Sequence, residues 1–467
     1  ANLTDFEATI LTVIFTDKLI HFLIDEMAIC TPTRLSLIIN IFIFVLQFKN
    51  DQYSNRVIMY LSLLDENDTL NILLNLIAHT IYTFNKKNVE KIGCKKNIIS
   101  SITNMIGSSI LNLQNENIKI CFNMTSILIL FYELLYLNRN FIFRIHCEIP
   151  EDATFFHNDV PKRSSLLSIF IEYLSITMQY IRADENILIV NLCLEIISVM
   201  LSDNYLIEVL HNVNFVFDVN LYIKGVKSRN VSVVRKETVP IIFCLIDIIC
   251  NFFVSNLSRL VPYELLIKCT QILQNCLIYM KKNDIRLIFE WNILWKSCFI
   301  MLAYFVKNEN CFVSNEALIL IENISNILTT FLQYGDHFLY HVDDYLTFYV
   351  NILKCPSLIE QLLQIFHKKS CLIKNSKNIY IYNSMDNLRI INQYFLPVIA
   401  AYKSSNKVSN VSDEIISDIV HENFENLHLR CLSLKTFENK YNDKLIEILI
   451  NRIGTKVRHH LTDICQD

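Results

Sequence analysis

The chain has 467 residues, 52% of them hydrophobic, and a formal net charge of −4. Its length allows two to four compact domains or one elongated array, and the small charge without a long basic block argues against a dedicated nucleic-acid-binding protein. Five glycines and seven prolines are far fewer than ordinary usage of about 7% and 5% would give, so the turn residues of sheet proteins are scarce and the sequence predicts an all-α fold with no sheet.

Apolar residues in the first part of the chain recur with the period of an α-helix. The clearest case runs from residue 69 to 84, where Leu70, Leu73, Leu74 and Ile77 share one face. The predicted helices here span residues 35–48, 69–84, 96–113 and 117–137. Short connections make them antiparallel neighbours, and residues 1–148 are predicted to be the N-terminal portion of an array of helical repeats.

Two breaks interrupt the helical pattern in the middle of the chain. Residues 149–163 contain two prolines and mixed charge, and they are predicted to be a linker. A middle helical segment, residues 164–222, follows with predicted helices at 164–181, 186–201 and 205–211. Residues 223–236 then carry five basic side chains and no acidic one, which predicts a solvated basic loop.

Residues 237–467 are predicted to form a C-terminal helical domain. Pro240 and Pro262 suit first turns of helices, and Gly335 is the expected left-handed cap after a helix that ends at Tyr334. The predicted helices span residues 238–258, 262–280, 285–307, 314–334, 338–353, 384–402, 412–437 and 443–462. Helical pairs repeat about every 40–50 residues, which is typical of armadillo and HEAT arrays. The sequence therefore predicts an armadillo/HEAT-like right-handed α-solenoid of antiparallel helical pairs.

One predicted helix, from Ile285 to Val306, is expected to lie inside this array. It contains both tryptophans of the sequence, one helical turn apart. The apolar stripe comprises Ile288, Trp291, Trp295, Phe299, Leu302 and Val306. Because most of the circumference is apolar, the helix is expected to be buried on several sides.

Membrane spans, disulfides and metal sites are not expected. No uncharged apolar run reaches the roughly 18 residues of a span. None of the 15 cysteines forms a C-x-x-C pair and no signal peptide is visible, so we expect reduced core thiols in the cytosol. His459, His460 and Cys465 could ligate a metal, but adjacent helical histidines point about 100° apart, which favours a surface position.

Motifs of common enzymes are absent from the sequence. It contains no glycine-rich phosphate or dinucleotide loop, no nucleophile elbow and no zinc-protease histidine pair. We therefore predict a protein that is not an enzyme and has no cofactor. The chain begins at Ala1 and not at methionine, so its natural N-terminus is expected to be missing.

Six blocks of sequence carry a resemblance to a known family. They are SITNMIGS (101–108), LYLNRNFI (135–142), IRLIFEWNILW (285–295), FLQYGDHFL (331–339), NLRIINQYFLP (387–397) and IGTKVRHHL (453–461). In these blocks and their order the chain resembles the armadillo-like helical domain-containing protein 3 family. The resemblance implies a non-catalytic scaffold, cytoplasmic and peripheral at Golgi membranes, that binds phosphatidylinositol 4-kinase III beta and the large Golgi Arf guanine-nucleotide exchange factor. It would support phosphatidylinositol 4-phosphate production, Golgi organisation and secretion.

The chain departs from this family in two places. Family members typically have a further helical region ahead of the position of Ala1, and they have a Ser/Thr/Pro-rich insert where this chain has only residues 149–163. Functions that depend on either region are in doubt.

The resemblance places a kinase-binding surface in residues 205–221. Val209, Leu210 and His211 match the family's contact positions, and Phe215 and Phe217 follow. The family tends to have Phe at position 209, so a shallower contact is expected, weaker by about 1 kcal/mol. The residues alone predict a short amphipathic helix followed by an aromatic turn. The alternative to kinase binding is that these side chains simply pack in the core. Alanine at the three contact positions is expected to leave the fold intact.

Two other function classes compete with the scaffold. A karyopherin-like cargo-binding armadillo protein is the main alternative. Armadillo carriers usually repeat Trp and Asn along an inner groove, whereas both tryptophans here lie on one helix, which disfavours a carrier. A cryptic enzyme is disfavoured by the missing motifs.

Overall fold

The computed structural model describes residues 17–29, 32–46, 56–97, 124–147, 165–179, 181, 184–224, 231–256, 262–370, 376–407, 410–424 and 427–466. Regular structure in these ranges is helical except for two strands, so the predicted all-α, armadillo-like class is confirmed. The chain divides into two compact units. Unit 1 contains Ala1–Ile223, Asn230–Ile241 and Asn439–Asp467, and unit 2 contains Lys224–Arg229 and Ile242–Glu438.

Unit 1 is built from helices and one small sheet. Its elements are α1 (Asp17–Ile29), α2 (Pro32–Leu46), α3 (Arg56–Leu63), α4 (Asn67–Asn97), α5 (Met124–Leu137), α6 (Arg139–Cys147), α7 (Leu166–Thr177), α8 (Asp184–Ser202), α9 (Asn204–His211), β1 (Phe217–Lys224), β2 (Val231–Val239) and the C-terminal helix α18 (Asp443–Gln466). The predicted linker over residues 149–163 lies outside the described residues. So does the predicted helix over 96–113, except for residues 96–97 at the end of α4.

An asparagine, Asn138, separates α5 from α6. Helix α6 was not predicted from the sequence. The Asn138 side chain accepts a hydrogen bond from the N–H of Phe141 at 2.6 Å, and it donates to the carbonyl of Leu64 at 2.8 Å. The first bond caps α6, because it satisfies an N–H that has no partner inside the helix. The two helices consequently meet at an angle of 104°.

The two-stranded sheet of β1 and β2 contradicts the expectation of no sheet. Phe217, Val219 and Leu221 are buried at alternate positions of β1, which is the period of a strand packed on one side. The Ser232 hydroxyl donates to the carbonyl of Ile223 at 3.0 Å, and the N–H of Thr238 donates to Asp218 at 3.0 Å, so the strands run antiparallel.

The predicted solvated loop over residues 223–236 is therefore wrong for its described part. Residues 225–230 lie outside the described ranges, and the rest belongs to β1 and β2. The Arg235 guanidinium lies 3.1 Å from the Glu237 carboxylate and 3.9 Å from that of Asp218. This basic side chain is thus paired within the sheet.

Helix α7 holds β1 through the side chains of Ser175 and Glu172. The Ser175 hydroxyl accepts the N–H of Tyr222 at 3.1 Å. Burial raises the pKa of Glu172 to about 7, and hydrogen bonds from Asn220 and Tyr222 partly offset that effect. The charged form of Glu172 is therefore unfavourable in the folded protein.

Glu172 should make the stability of unit 1 depend on pH. Its folded pKa of about 7 lies above the reference value of 4.5, so its contribution is complete below about pH 4.5 and is lost as the pH rises through 7. We expect the free energy of unfolding of the wild type, relative to Glu172→Gln, to fall by about 2–4 kcal/mol between pH 4.5 and 7.5. Urea unfolding of both proteins at a series of pH values measures this, and a difference that stays constant would contradict it.

Unit 2 consists of helices α10 to α17 and an extended segment over residues 427–438. Its elements are α10 (Ile241–Asn256), α11 (Tyr263–Asn283), α12 (Asn292–Lys307), a 3₁₀ turn (Glu309–Val313), α13 (Asn315–Phe338), α14 (Val342–Leu353), α15 (Pro356–Ser370), α16 (Ser376–Asn406) and α17 (Asp413–Asn423). Helix α13 packs against α11 on one side and α16 on the other.

The tryptophan helix is shorter than predicted. Helix α12 begins after Trp291, and residues 285–290 run beside the end of α13, where Leu287 forms a parallel bridge with Leu339. Both tryptophans, Phe299 and Leu302 are buried as expected. Ile288 is exposed and was wrongly placed on the buried stripe, because it precedes the helix.

Gly335 lies inside α13 and is not the predicted left-handed cap. The helix continues to Phe338, and no described glycine has a positive φ. A Cβ atom at Gly335 would lie 3.1 Å from the Tyr345 ring, so glycine permits α14 to approach α13 closely at this point.

The end of the chain differs most from the prediction. Helix α17 ends at Asn423, and residues 427–442 have no helix or strand, although a helix was predicted to residue 437. Tyr132 accepts the N–H of Asn442 at 3.1 Å, and the Asn442 amide donates to Glu195 at 2.7 Å. These bonds attach α18 to unit 1, so the predicted C-terminal domain over residues 237–467 is divided between the two units.

Candidate partner-binding surface

Helix α9 carries the residues that the sequence reading assigned to kinase binding. The Asp203 carboxylate accepts the N–H groups of Tyr205 and Leu206 at 2.9 and 3.1 Å, which caps the helix. Asp203 also lies 3.7 Å from the Arg139 guanidinium at the start of α6. Helices α6 and α9 pack against each other, so the position of α9 in unit 1 is fixed.

The three predicted contact residues point into unit 1. Val209, Leu210 and His211 are all buried, and the His211 Nδ1–H donates to the carbonyl of Ile207 at 2.8 Å. The expectation that they form an outward face that tolerates alanine is therefore wrong. Their role in kinase binding stays a prediction, and the packing alternative accounts for their observed contacts.

The two phenylalanines that follow α9 differ in exposure. Phe217 is buried as the first residue of β1, and Phe215 is half-buried in the turn before it. In that turn the N–H of Asn214 donates to the Asn212 side chain at 2.9 Å, which is an Asx-turn. Val213 and Val216 are exposed beside these residues.

An exposed aromatic patch lies on the surface formed by α6 and α9. Its members are Phe143 and His146 of α6 and Tyr205 of α9. The Phe143 ring lies 6.4 Å from the Tyr205 ring and 6.3 Å from the His146 ring, and Phe143 and Tyr205 are 51% and 46% exposed. Aromatic side chains are enriched in the cores of protein interfaces, so this α6–α9 patch is suited to binding a partner.

Sequence reasoning missed this patch because it ended the preceding helix at residue 137 and assigned no helix to residues 139–147. The signal was present in Asn138, which precedes the run Arg139–Cys147 as a preferred helix-capping residue. A new helix starting there places Phe143 and His146 on one face, three residues apart.

Most cysteines whose side chains the structure describes are buried thiols. Nine cysteines have described side chains; none of these forms a disulfide, and six of them are buried. Burial raises the pKa of the Cys298 thiol to about 12 and that of Cys193 still further, so both stay protonated at neutral pH. The described residues also contain no group of three or more side chains of metal-binding type. The side chains of His459, His460 and Cys465 lie outside that set.

Within the described ranges, no helix alone has the length and apolar composition of a membrane span. Two helix pairs reach that composition only when joined, and they bend by 104° between α5 and α6 and by 99° between α8 and α9.

Comparison with known proteins supports one family. A family model for the C-terminal region of armadillo-like helical domain-containing protein 3 matches residues 239–462. The protein of that name from Homo sapiens is 25% identical over 457 residues, and the match covers 89% of this chain. The proteins of that name from Xenopus laevis and Danio rerio are each 26% identical, over 83% and 91% of this chain. The matched C-terminal region and these three relatives support the armadillo-like helical domain-containing protein 3 family for this chain.

Similarity to the armadillo-like helical domain-containing protein 3 family supports a helical scaffold-type protein. The chain spans 66%, 61% and 67% of the lengths of the human, frog and fish relatives. The α6–α9 patch precedes the residues that the family model matches, and α11, α13 and α16 lie within them. No solved structure matches the chain.

Proposed function

We propose that this protein is a non-catalytic scaffold, peripheral at Golgi membranes, that binds phosphatidylinositol 4-kinase III beta and the large Golgi Arf exchange factor. Through the kinase it would support phosphatidylinositol 4-phosphate production. The observation that carries the proposal is the α6–α9 patch, an exposed aromatic surface shared by α6 and by α9, the helix to which the family resemblance assigns kinase binding. Val209, Leu210 and His211 are buried in α9, and their predicted role in kinase binding would be to hold this surface in place.

The proposed surface has the chemistry of an interface anchor. Phe143 and Tyr205 expose large rings on two helices that are fixed by the Asp203 cap and the packing of α6 on α9. Rigid aromatic side chains lose little conformational entropy on binding, so they contribute strongly to affinity. The exposed valines of the following turn extend the apolar surface along the chain.

Replacing Phe143 and Tyr205 by alanine should weaken kinase binding without unfolding unit 1. We expect a loss of about 2 kcal/mol, roughly thirtyfold in Kd, because a few aromatic anchors supply most interface energy. Titration of the purified full chain against the purified kinase, with the melting temperature recorded in parallel, measures both effects.

Tyr340→Ala is the matched control, because this tyrosine is 51% exposed but lies in unit 2. It should bind the kinase as the wild type does. Equal affinity of the wild type and the double variant, at equal stability, would remove the α6–α9 patch from the proposal. Loss of Golgi localisation with the double variant and not with Tyr340→Ala would link the same surface to location in cells.

The karyopherin-like alternative stays a prediction with a different test. A carrier would bind a cargo segment through a groove, and its binding would not change with the Phe143 and Tyr205 variants.

A further inference from the structure

Three asparagines on neighbouring helices of unit 2 hold an extended segment of the chain by its backbone. This segment, Leu427–Glu438, is called the strap. Each asparagine side chain donates to the carbonyl and accepts from the N–H of one strap residue: Asn387 pairs with Arg430 (2.9 and 2.9 Å), Asn326 with Lys435 (3.1 and 3.1 Å) and Asn275 with Phe437 (3.1 and 3.4 Å). Because the strap groups that these amides bind are backbone groups, the amides themselves recognise an extended chain of any sequence.

The asparagines are positioned by contacts that do not involve the strap. Polar side chains join the three helices in a buried series: Gln274 to Thr330 (2.9 Å), Asn323 to Thr270 (3.0 Å) and Thr329 to Ser384 (2.8 Å). The Tyr380 hydroxyl donates to the Asn326 side chain at 2.7 Å. The asparagine ladder of α11, α13 and α16 is therefore preorganised for an extended ligand.

Two buried carboxylates give the ladder a preference for basic side chains. The Glu322 and Asp386 side chains are only 4% and 2% exposed. Lys435 forms an ion pair with Glu322, and the Arg430 guanidinium lies 3.1 Å from Asp386. Asp386 forms a second ion pair with Arg389 of its own helix. For Glu322, the ion pair found among the described residues is the one with Lys435. A buried carboxylate without a cation is unfavourable, so any ligand that replaces the strap has to supply a positive charge there.

The strap is attached by apolar as well as polar contacts. Leu427, Leu429, Leu432, Leu434 and Phe437 are partly buried, but no side chain between Leu427 and Glu438 is fully buried. The backbone pairs and the two ion pairs are the polar part of its attachment. A second segment with the same groups would make the same contacts.

We propose that the asparagine ladder is a binding site for extended peptides of a partner protein that carry two basic side chains five positions apart, and that the strap is its tethered occupant. Tethering gives the strap an effective concentration of roughly millimolar, so a partner segment binds well only where it is concentrated or the strap is weakened. The site lies in unit 2 and does not depend on the proposed kinase surface.

A labelled peptide with the sequence of residues 427–438, with serine in place of the cysteine, tests the site in the full-length chain. We expect the strap variant Arg430→Ala/Lys435→Ala to bind this peptide at least about tenfold more tightly than the wild type, because the competing occupant is weakened. Adding Asn326→Ala to that variant should reverse the gain, because it removes a ladder contact. A peptide with glutamine at both basic positions should bind at least about tenfold more weakly, since it leaves Glu322 unpaired.

The opposite signs of the strap and ladder variants distinguish a ligand site from a structural connection. If the strap variant is folded by circular dichroism and binds the peptide no better than the wild type, the proposal is wrong. Equal binding of the glutamine peptide would also overturn it. If the variant unfolds, hydrogen exchange of the wild-type protein is the deciding measurement. We expect the strap N–H groups of Lys435 and Phe437 to exchange at least about tenfold faster than the N–H groups of α13. Equal exchange rates would contradict the proposal.

Discussion

Alanine in place of Trp291 or Trp295 is expected to lower the free energy of unfolding of unit 2 by about 3–5 kcal/mol, because each change empties a large buried site. Both side chains are fully buried. The Phe331 ring of α13 lies 5.4 Å from each indole ring, and the Phe348 ring of α14 lies 5.1 Å from that of Trp295. Urea unfolding followed by circular dichroism measures the loss.

Two further variants make this measurement specific. Ile288→Ala, at an exposed position three residues before Trp291, should change stability by less than about 0.5 kcal/mol. Trp295→Phe should cost less than alanine, because it keeps most ring contacts and removes an indole N–H that has no acceptor among the described residues. Alanine variants that melt within a degree or two of the wild type would show that α12 is not central to the core of unit 2.

Joint replacement of Val209, Leu210 and His211 by alanine is expected to destabilise unit 1 by at least about 3 kcal/mol. All three side chains are buried, and a Leu→Ala change in a core alone costs about 2–5 kcal/mol. The variant also loses the hydrogen bond from His211 to the Ile207 carbonyl. Thermal unfolding followed by circular dichroism gives the size of the effect.

Comparison of this triple variant with the Phe143/Tyr205 variant separates packing from recognition. We expect the triple variant to lose kinase binding together with stability, and the Phe143/Tyr205 variant to lose binding alone. A triple variant that melts as the wild type does and still fails to bind would show that these residues contact the kinase directly.

Long helices with a clear apolar period were predictable from the sequence. The prediction over residues 186–201 corresponds to Asp184–Ser202, and the prediction over 443–462 corresponds to Asp443–Gln466. In both, the period repeats over several turns, so a local reading has enough information. The short helix α6 and the short strand β1 provide fewer repeats, and both were missed.

The α6–α9 patch could be predicted only in part. The resemblance directed attention to α9, but the side chains that it marked there are buried, and the exposed Tyr205 gains its aromatic neighbours from α6. Helical period tells which residues share a face. It does not tell which face another helix covers, because that depends on residues far away in the chain.

The sequence by itself determined the helical class and the buried tryptophans, because scarce glycine and proline and the spacing of apolar residues act within a few helical turns. Only the tertiary structure decided that residues 427–438 are extended. A helix was predicted to residue 437, and no local signal shows that Asn275, Asn326 and Asn387 meet the backbone of this segment. An extended chain leaves its N–H and carbonyl groups without helical partners, so its stability depends on distant side chains that folding brings beside it.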